Sequence, residues 1–190
     1  ILEQKYNDTL YIYDDSEQLH GTELLSYAII GGVEQLLAMK TEIKADEHFV
    51  VAIGNNDCRE KLFALLVSRF SSTVFSHPSS QIARSVSIGC GTVIMANAVV
   101  NIDTTIGMNF IINTASLIEH DCKIGHHAHS APGAKLAGGV TVGNNALIGL
   151  GANVLPGVNI GKHCIIGAGA VVLDDIPDNT VVAGCPAKPI

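Results

Sequence analysis

The sequence contains few charged residues and few aromatic ones. Of its 190 residues, 15% are charged, 5% are aromatic and none is tryptophan. Disordered chains have the opposite balance, with many charges and little apolar content, whereas 47% of this chain is hydrophobic and 19 residues are glycine. The composition therefore predicts a folded protein in which small side chains pack close to the backbone.

Basic residues are scarce as well. The formal net charge is −7 at pH 7, which argues against nucleic acid as the main partner because binding phosphates requires a basic surface. No apolar run reaches the ~18 residues of a membrane span, and the first residues predict no signal peptide. The five cysteines form no C-x-x-C pair, so reduced thiols in a cytoplasmic protein are the simplest interpretation.

A six-residue repeat fills the second part of the chain. An aliphatic residue recurs at every sixth position in fifteen of sixteen hexads, without insertion, and only Ser130 departs. The residue four positions later is usually small, with Phe110 as the large exception, and glycine often follows the aliphatic residue. The repeated positions are Ile82, Ile88, Ile94, Val100, Ile106, Ile112, Ile118, Ile124, Ser130, Leu136, Val142, Ile148, Val154, Ile160, Ile166 and Val172.

This repeat is the hexapeptide pattern of a parallel β-helix, in which three hexads make one triangular coil of 18 residues. The aliphatic side chain points inward, and the small residue fits the tight corner. A β-sandwich with frequent turns is the alternative, and sixteen hexads in phase argue against it. We therefore predict a β-helix over residues 79–190.

Residues 1–78 carry a different pattern. Leu10–Tyr13 and Phe49–Ile53 are predicted as short buried strands, and Thr73–Phe75 as a weaker third strand. The helix predicted between the last two strands occupies Asn56–Phe70. A strand, a helix and a strand in this order predict a small parallel α/β domain.

Two details of this domain can also be predicted. Asp57 and Glu60 resemble a capping box at the start of the helix, whose apolar stripe is formed by Leu62, Leu65, Leu66 and Phe70. The first residues, Ile1–Asn7, are predicted as the end of a helix. The strand and Gly-rich turn that normally open such a sheet are therefore expected to be missing.

His120 is the first candidate for chemistry. It lies in the segment Ile118-Glu-His-Asp-Cys122 as the third residue of its hexad, where side chains point outward. The adjacent carboxylate of Asp121 can hold the pKa of the imidazole near neutrality, as a general base requires. The alternative is a solvated histidine on a coil corner.

Three more histidines follow in the next hexad. His126, His127 and His129 raise the possibility of a metal site, but successive residues of an extended chain point to different sides, so this spacing disfavours one. We predict no metal site here, and we expect His126 and His127 to be exposed turn residues.

Residues in the first domain are candidates for ligand binding. Asp14 and Asp15 follow a predicted strand, and a carboxylate at such a strand end commonly accepts hydrogen bonds from sugar hydroxyls. Gly54 joins a predicted strand to a helix, where it permits close approach of a ligand to the backbone and to the helix N-terminus. A solvated turn is the alternative for the aspartates.

Three motifs together carry a family resemblance. They are Ile53-Gly-Asn-Asn56, Asn113-Thr-Ala-Ser-Leu-Ile-Glu-His-Asp121 and Gly184-Cys-Pro-Ala-Lys188. With the hexads, they resemble the hexapeptide-repeat sugar acetyltransferases, whose β-helix is left-handed. The closest branch contains the bacterial N-acetyltransferases that act on UDP-4-amino-4,6-dideoxy sugars, and the resemblance covers the whole chain.

The resemblance implies roles for the β-helix residues. His120 matches the base that deprotonates the acceptor amine or hydroxyl, and Asp121 matches the acidic residue that supports its basicity. His129 matches a residue that contacts acetyl-CoA, and the CoA arm is expected near Leu150 and Ala168. Catalysis in this family uses a homotrimer with each site between two prisms.

The resemblance also implies the reaction. Asp14, Asp15 and Gly54 match residues that bind the nucleotide sugar, so we expect N-acetylation of a UDP-amino sugar by acetyl-CoA, without a metal. Transfer is expected to be direct, because Cys122 and Cys164 occupy inward corner positions where thiols are poor nucleophiles.

Three alternatives stay open from the sequence. One is an O-acetyltransferase of sialic acid or of another sugar. A second is an enzyme like the γ-type carbonic anhydrases, which bind zinc on a similar β-helix but lack the first domain. The third is a sensor or scaffold that binds nucleotide sugars without catalysis.

Overall fold

The structure is a computed structural model that describes residues 1, 10–38 and 47–190. Strand β1 (Ile12–Tyr13) pairs in parallel with β3 (Tyr27–Gly31), and β2 (Glu23–Leu24) pairs with β3 in the antiparallel direction. A 3₁₀ helix at Glu17–Leu19 and helix α1 at Val33–Ala38 accompany these strands. They form part of a Rossmann-like α/β domain, as the sequence predicts.

Two of the three predicted strands of this domain differ in the structure. Segment Phe49–Ile53 contains no strand; next to it, His48 forms an isolated bridge with Ser71. The prediction for Thr73–Phe75 is also wrong, because the strand is β4 (Phe75–Ser76) and pairs with the β-helix instead. The predicted helix end at Ile1–Asn7 lies, apart from Ile1, outside the described residues.

From β4 onward the chain winds into a left-handed parallel β-helix with three faces. From β4 to β20, each strand pairs with the strand 18 residues away, as in the alignment of Ile111 with His129 and of His129 with Leu147. Three hexads therefore make one coil, which confirms the prediction from the repeat.

The strands stack as follows. Face A contains β4 (Phe75–Ser76), β7 (Val93–Ile94), β10 (Ile111–Ile112), β13 (His129–Ser130), β16 (Leu147–Ile148), β19 (Ile165–Ile166), β21 (Val181–Ala183) and the antiparallel β22 (Lys188–Pro189). Face B contains β5 (Gln81–Ile82), β8 (Val99–Val100), β11 (Leu117–Ile118), β14 (Lys135–Leu136), β17 (Asn153–Val154) and β20 (Val171–Val172). Face C contains β6 (Ser87–Ile88), β9 (Thr105–Ile106), β12 (Lys123–Ile124), β15 (Thr141–Val142) and β18 (Asn159–Ile160).

The core of the prism is built from the repeated positions. From Ile94 onward, each repeated residue is buried, whereas Ile82 in the first coil is 37% exposed. Ser130, the exception among the hexads, is buried because its hydroxyl hydrogen-bonds the hydroxyl of Ser116. Phe110 is buried as well. Both exceptions are therefore accommodated inside the coil.

Helix α2 occupies Asn56–Val67 and ends earlier than predicted. Its N-cap is Asn55, whose side chain accepts a hydrogen bond from the Cys58 N–H at 3.0 Å, so the capping box predicted at Asp57 and Glu60 is wrong. The face of the helix also differs, because Leu65 is exposed while the buried residues are Arg59, Phe63 and Leu66.

The helix packs along the corner between faces C and A, which we call the C/A corner. The C/A corner contributes one residue per coil, each with a positive φ and 18 positions from the next: Gly91, Asn109, His127, Asn145 and His163. Contacts between α2 and this corner run from Phe63 at Gly91 to Asp57 at His163, so side chains of the helix reach several successive coils.

This alignment fixes the orientation of α2. Its C-terminal half lies at the first coil and its N-terminus lies several coils further along the prism. The loop before the helix, which contains Gly54, is thereby brought to the middle of the β-helix. Among the described residues, no helix combines the length and apolar character needed to cross a bilayer.

Candidate active site

His120 and Asp121 lie on the corner between faces B and C. The Nδ1 atom of His120 is 2.7 Å from Oδ2 of Asp121, and both side chains are more than half exposed. The hydrogen bond to Asp121 raises the pKa of His120, supported by the charges of Asp121 and Glu119 and opposed by slight burial. Glu119 in turn accepts a hydrogen bond from Nδ2 of Asn101 at 2.8 Å.

This geometry suits proton transfer. A carboxylate can only accept, so Nδ1 of His120 donates to Asp121 and Nε2 carries the lone pair. A Cβ built on Gly138, one coil further, would meet Nε2 and Cε1 of His120 at 2.6 Å. The imidazole therefore rests directly on the backbone of the next coil, which limits where Nε2 can lie.

His129 lies on β13 of face A and is partly buried. Its Nε2 is 3.1 Å from Nδ2 of Asn113, and the ring also hydrogen-bonds the backbone of Gly54. Burial and the charge of Arg59 lower the pKa of His129 to about 4, although the bond to Gly54 works in the opposite direction. The structure therefore brings two predicted site residues, Gly54 and His129, into direct contact.

Leu150 and Ala168 lie on the corner between faces A and B. They occupy equivalent positions on successive coils, and both are exposed. Together with His129 they border face A. Their contact with a CoA arm stays a prediction.

Asp14 and Asp15 directly follow β1, as predicted. Oδ1 of Asp14 accepts the Ser16 N–H at 2.8 Å, and Oδ1 of Asp15 accepts the Val33 N–H at 2.8 Å. One oxygen of each carboxylate thus organises the local backbone. Their sugar-binding role stays a prediction.

The two remaining histidines behave differently from each other. His126 is exposed, as predicted, and its Nδ1 accepts the Met108 N–H at 3.0 Å. His127 is not an exposed turn residue, because its side chain is only 12% exposed and packs against Phe63 and Asn109. Helix α2 covers it, and burial lowers the pKa of His127. No group of three or more His, Cys, Asp or Glu residues in the described ranges could hold a metal ion.

Arg59 is a residue that sequence reasoning missed. It is 1% exposed, and burial lowers its pKa to about 10. The available signal was its position four residues before Phe63 and seven before Leu66, which places a charge on the buried stripe of α2. Its guanidinium donates to the carbonyl oxygens of Ile53, Gly54, Asn109, His127 and Ala128 and to Oδ1 of Asn56.

The predicted site residues do not all meet within one chain. His120 lies on the corner between faces B and C, whereas His129 and Gly54 lie at face A beside the C/A corner. Glu119 lines an open groove of about 260 Å³ on face B, together with residues that include Leu117 and Leu155. Within one chain, His120 and His129 therefore lie on different sides of the prism.

Comparison with known proteins matches both parts of the chain. The family described as PglD N-terminal domain matches residues 1–66, and the family described as bacterial transferase hexapeptide (six repeats) matches residues 139–174. A GDP-perosamine N-acetyltransferase of Escherichia coli O157:H7 is 36% identical over 93 residues, which are 48% of this chain and 42% of that protein. The match thus spans less than half the length of this curated relative.

Two solved structures resemble nearly the whole chain. The acetyltransferase domain of PglB from Neisseria gonorrhoeae FA1090 is 34% identical, with a TM-score of 0.88 over 94% of this chain and 85% of that chain. PerB from Caulobacter crescentus, solved in complex with CoA and GDP-perosamine, is 38% identical, with a TM-score of 0.80 over 88% of this chain and 80% of that chain.

Proposed function

This chain belongs to the hexapeptide-repeat sugar N-acetyltransferases, and we propose that it transfers an acetyl group from acetyl-CoA to the amino group of a nucleotide-linked sugar. The observation that carries the proposal is the His120–Asp121 pair, with Nδ1 and Oδ2 2.7 Å apart on an exposed corner. Relatives support it, since the Escherichia coli protein is named for N-acetyl transfer and the Caulobacter protein was solved with CoA and GDP-perosamine.

His120 acts as the general base in the proposed mechanism. Its Nε2 accepts a proton from the acceptor amine while the amine nitrogen attacks the thioester carbonyl carbon. An amide C–N bond forms, the C–S bond breaks, and the proton held by His120 can return to the departing CoA thiolate. Asp121 stabilises the imidazolium through its hydrogen bond, in the manner of other carboxylate–histidine pairs.

We assign the two substrates to different groups of residues. Asp14, Asp15 and Gly54 are proposed to bind the nucleotide sugar, in keeping with their position at a strand end and before a helix. His129, which contacts Gly54, is proposed to contact acetyl-CoA. The acceptor predicted from sequence is a UDP-4-amino-4,6-dideoxy sugar. Because two relatives are named or were solved with GDP-perosamine, the test compares UDP- and GDP-linked amino sugars.

The CoA arm is proposed to pass Leu150 and Ala168 in a homotrimer. A neighbouring prism can bring its corner with His120 to face A of this chain, which one chain alone does not achieve. The five free cysteines support the cytoplasmic location predicted from sequence, since disulfides persist mainly in oxidising compartments.

The test is release of free CoA thiol from acetyl-CoA by the purified protein. The acceptors are a UDP-4-amino-4,6-dideoxy sugar, GDP-perosamine and free sialic acid, each with the wild type and with His120→Ala. We expect turnover with one nucleotide amino sugar and a fall of about 10²- to 10⁴-fold in the variant, the range for loss of a general base. His163→Ala, which removes an exposed histidine of the C/A corner, is the control and should keep its activity.

Other outcomes would redirect the assignment. Turnover with sialic acid alone would move the protein to O-acetylation. Activity that depends on stoichiometric zinc and not on acetyl-CoA would favour the anhydrase alternative. An unchanged rate in His120→Ala would remove the proposed base.

A further inference from the structure

Arg59 is a buried cation whose partners, among the described residues, are all neutral oxygens. One of its Nη atoms donates to the carbonyl oxygen of His127 at 2.7 Å and to that of Ala128 at 3.0 Å. A buried charge is costly unless hydrogen bonds replace its hydration. Six oxygens do so here, which indicates that the surrounding backbone is arranged around this side chain.

The contacts of Arg59 join three separate segments. One Nη atom reaches the carbonyls of Ile53 and Gly54 at 3.1 and 3.3 Å, and the other reaches Oδ1 of Asn56 at 2.9 Å as well as the C/A corner. The loop before α2, the first turn of α2 and the chain leading into β13 therefore share one guanidinium.

These segments meet at two predicted site residues. His129 directly follows Ala128, and its ring hydrogen-bonds the backbone of Gly54. Arg59 thus holds the carbonyl of Gly54 on one side and the residue preceding His129 on the other. Moving the guanidinium would move both sides of the Gly54–His129 contact.

An arginine is needed for this arrangement. Its planar group carries five N–H donors in a fixed fork, whereas a lysine has three donors on one nitrogen atom. Lysine can keep the charge at this position but cannot reach the loop, the helix turn and the C/A corner together.

We propose that Arg59 is a positioning residue for the acceptor site, which fixes the Gly54 loop against His129 so that the nucleotide sugar and acetyl-CoA meet in the correct register. This inference rests on the proposed function. Arg59 acts through Gly54 and His129, and it is separated from His120, which lies on a different corner of the prism.

Anchoring of the helix is a separate role, carried by other contacts. Phe63 lies against Gly91, close enough that an added Cβ at the glycine would meet its ring. Glu60 accepts a hydrogen bond from Nδ2 of Asn145. These contacts hold α2 on the prism, so loss of the Arg59 fork should displace the Gly54 loop more than the helix.

The experiment compares Arg59→Lys with Phe63→Leu in the full chain. For Arg59→Lys we expect the KM for the nucleotide sugar to rise and kcat to fall, so that kcat/KM drops about 10- to 100-fold, the scale of a misplacement of about 1 Å between the reacting groups. The pKa of His129, followed by NMR titration, should rise from about 4, because burial is the largest cause of its low value and outweighs the lost bond to Gly54. Phe63→Leu should lower the melting temperature and leave the KM and the His129 titration at wild-type values.

The proposal is overturned if Arg59→Lys lowers only the melting temperature, as Phe63→Leu does. Should Arg59→Lys not fold, Asn56→Ala removes one partner of the guanidinium, together with the bonds from Asn56 to the Asn145 and Ala146 carbonyls, and should shift both readouts in the same direction by less. An Asn56→Ala protein with wild-type KM and His129 titration would then overturn it. If the wild type has no turnover with any acceptor, the proposed function fails, and the His129 titration alone decides the role of Arg59.

Discussion

At the residue scale, the fold treats its two proposed site histidines in opposite ways. His120 is exposed beside Asp121, which raises its pKa, whereas burial lowers the pKa of His129 to about 4. His129 is therefore neutral at neutral pH and can offer a fixed hydrogen bond. His120 has a raised pKa and a solvent-exposed ring, which suits it to accept a proton from a substrate.

The Asp121 carboxylate should set the pH dependence of the reaction. A base acts in its unprotonated form, so kcat/KM should rise with pH through the pKa of His120. Asp121 stabilises the protonated form, and Asp121→Asn removes that effect, so the rise should move to lower pH and the plateau should fall because the base is weaker. A pH profile of kcat/KM measures both changes.

Asp103→Asn is the matched control for this profile. Asp103 occupies the equivalent corner position one coil earlier, and its φ of 57° resembles the 60° of Asp121. The Asp103→Asn variant removes a nearby charge without removing a hydrogen bond to His120, so its pH profile of kcat/KM should stay close to that of the wild type. If Asp121→Asn does not move the midpoint of the rise in kcat/KM with pH, the proposed effect of Asp121 on His120 is wrong.

Direct transfer predicts that no thiol becomes acetylated during turnover. Cys122 is the cysteine nearest to His120 in sequence, but it is buried, its thiol donates to the Ala137 carbonyl at 3.3 Å, and burial raises its pKa. Cys122→Ala should keep kcat within about three-fold, since a thiol held in its neutral form is a poor nucleophile. Cys164→Ala, also at an inward corner, is the control.

Mass spectrometry supplies the second readout. The wild type mixed with acetyl-CoA alone should show no added acetyl group on Cys122. An acetylated Cys122 that passes its acetyl group to the sugar would replace the direct mechanism with a two-step one.

At the element scale, the β-helix and the first domain differ in how far the sequence specifies them. The hexad period is a property of each coil, and every coil repeats it, so errors at single positions such as Ser130 do not change the prediction. The segment Phe49–Ile53 has the composition of a strand, but the bridge found beside it in the described part of the chain joins His48 to Ser71. Strand pairing depends on a partner that composition does not reveal.

The helix illustrates the same limit. The pattern predicts a helix near Asn56–Phe70, and the structure confirms most of it. Its buried face follows from the prism corner against which it packs, and that corner is between 28 and 106 residues away in sequence from the contacting helix residues. The same distance hides the role of Arg59, because its partners on the prism are the backbone carbonyls of Asn109, His127 and Ala128, which a residue of any type could supply.

Because coils stack closely, an added methyl group should lower activity at one glycine and stability at another. A Cβ on Gly138 meets the ring of His120, which can rotate away, so Gly138→Ala should keep the fold and lower kcat by about 10²-fold through a misplaced base. A Cβ on Gly143 meets the backbone nitrogen of Lys162 at 2.5 Å, and backbone cannot rotate away. Gly143→Ala should therefore destabilise the protein by about 1–3 kcal/mol.

Thermal melts and steady-state rates distinguish the two variants. Gly138→Ala should melt close to the wild type with a low kcat. Equal losses of melting temperature in both variants would show that the His120 ring does not yield to the added methyl group.

At the scale of the whole molecule, the proposed homotrimer builds its site from residues of two prisms. His120 lies between faces B and C, and His129 lies on face A, so a head-to-tail contact between neighbours can join them. Repeated around a threefold axis, such a contact closes into a ring with three equivalent sites. The proposed homotrimer therefore makes a prediction about mixtures of inactive chains.

Chains with His120→Ala and chains with His129→Ala should each have low activity and should recover it when assembled together. In a random 1:1 mixture, about one quarter of the interfaces pair an intact His120 with an intact His129, so about one quarter of the wild-type rate is expected. A site contained in one chain predicts no recovery at all.

Wild type mixed 1:1 with the double variant gives the complementary comparison, because shared sites predict about one quarter of the wild-type rate and single-chain sites predict about one half. Shared sites therefore predict the same rate, about one quarter of the wild-type rate, in both mixtures. Misfolding of the variants would lower both rates but would not make them equal.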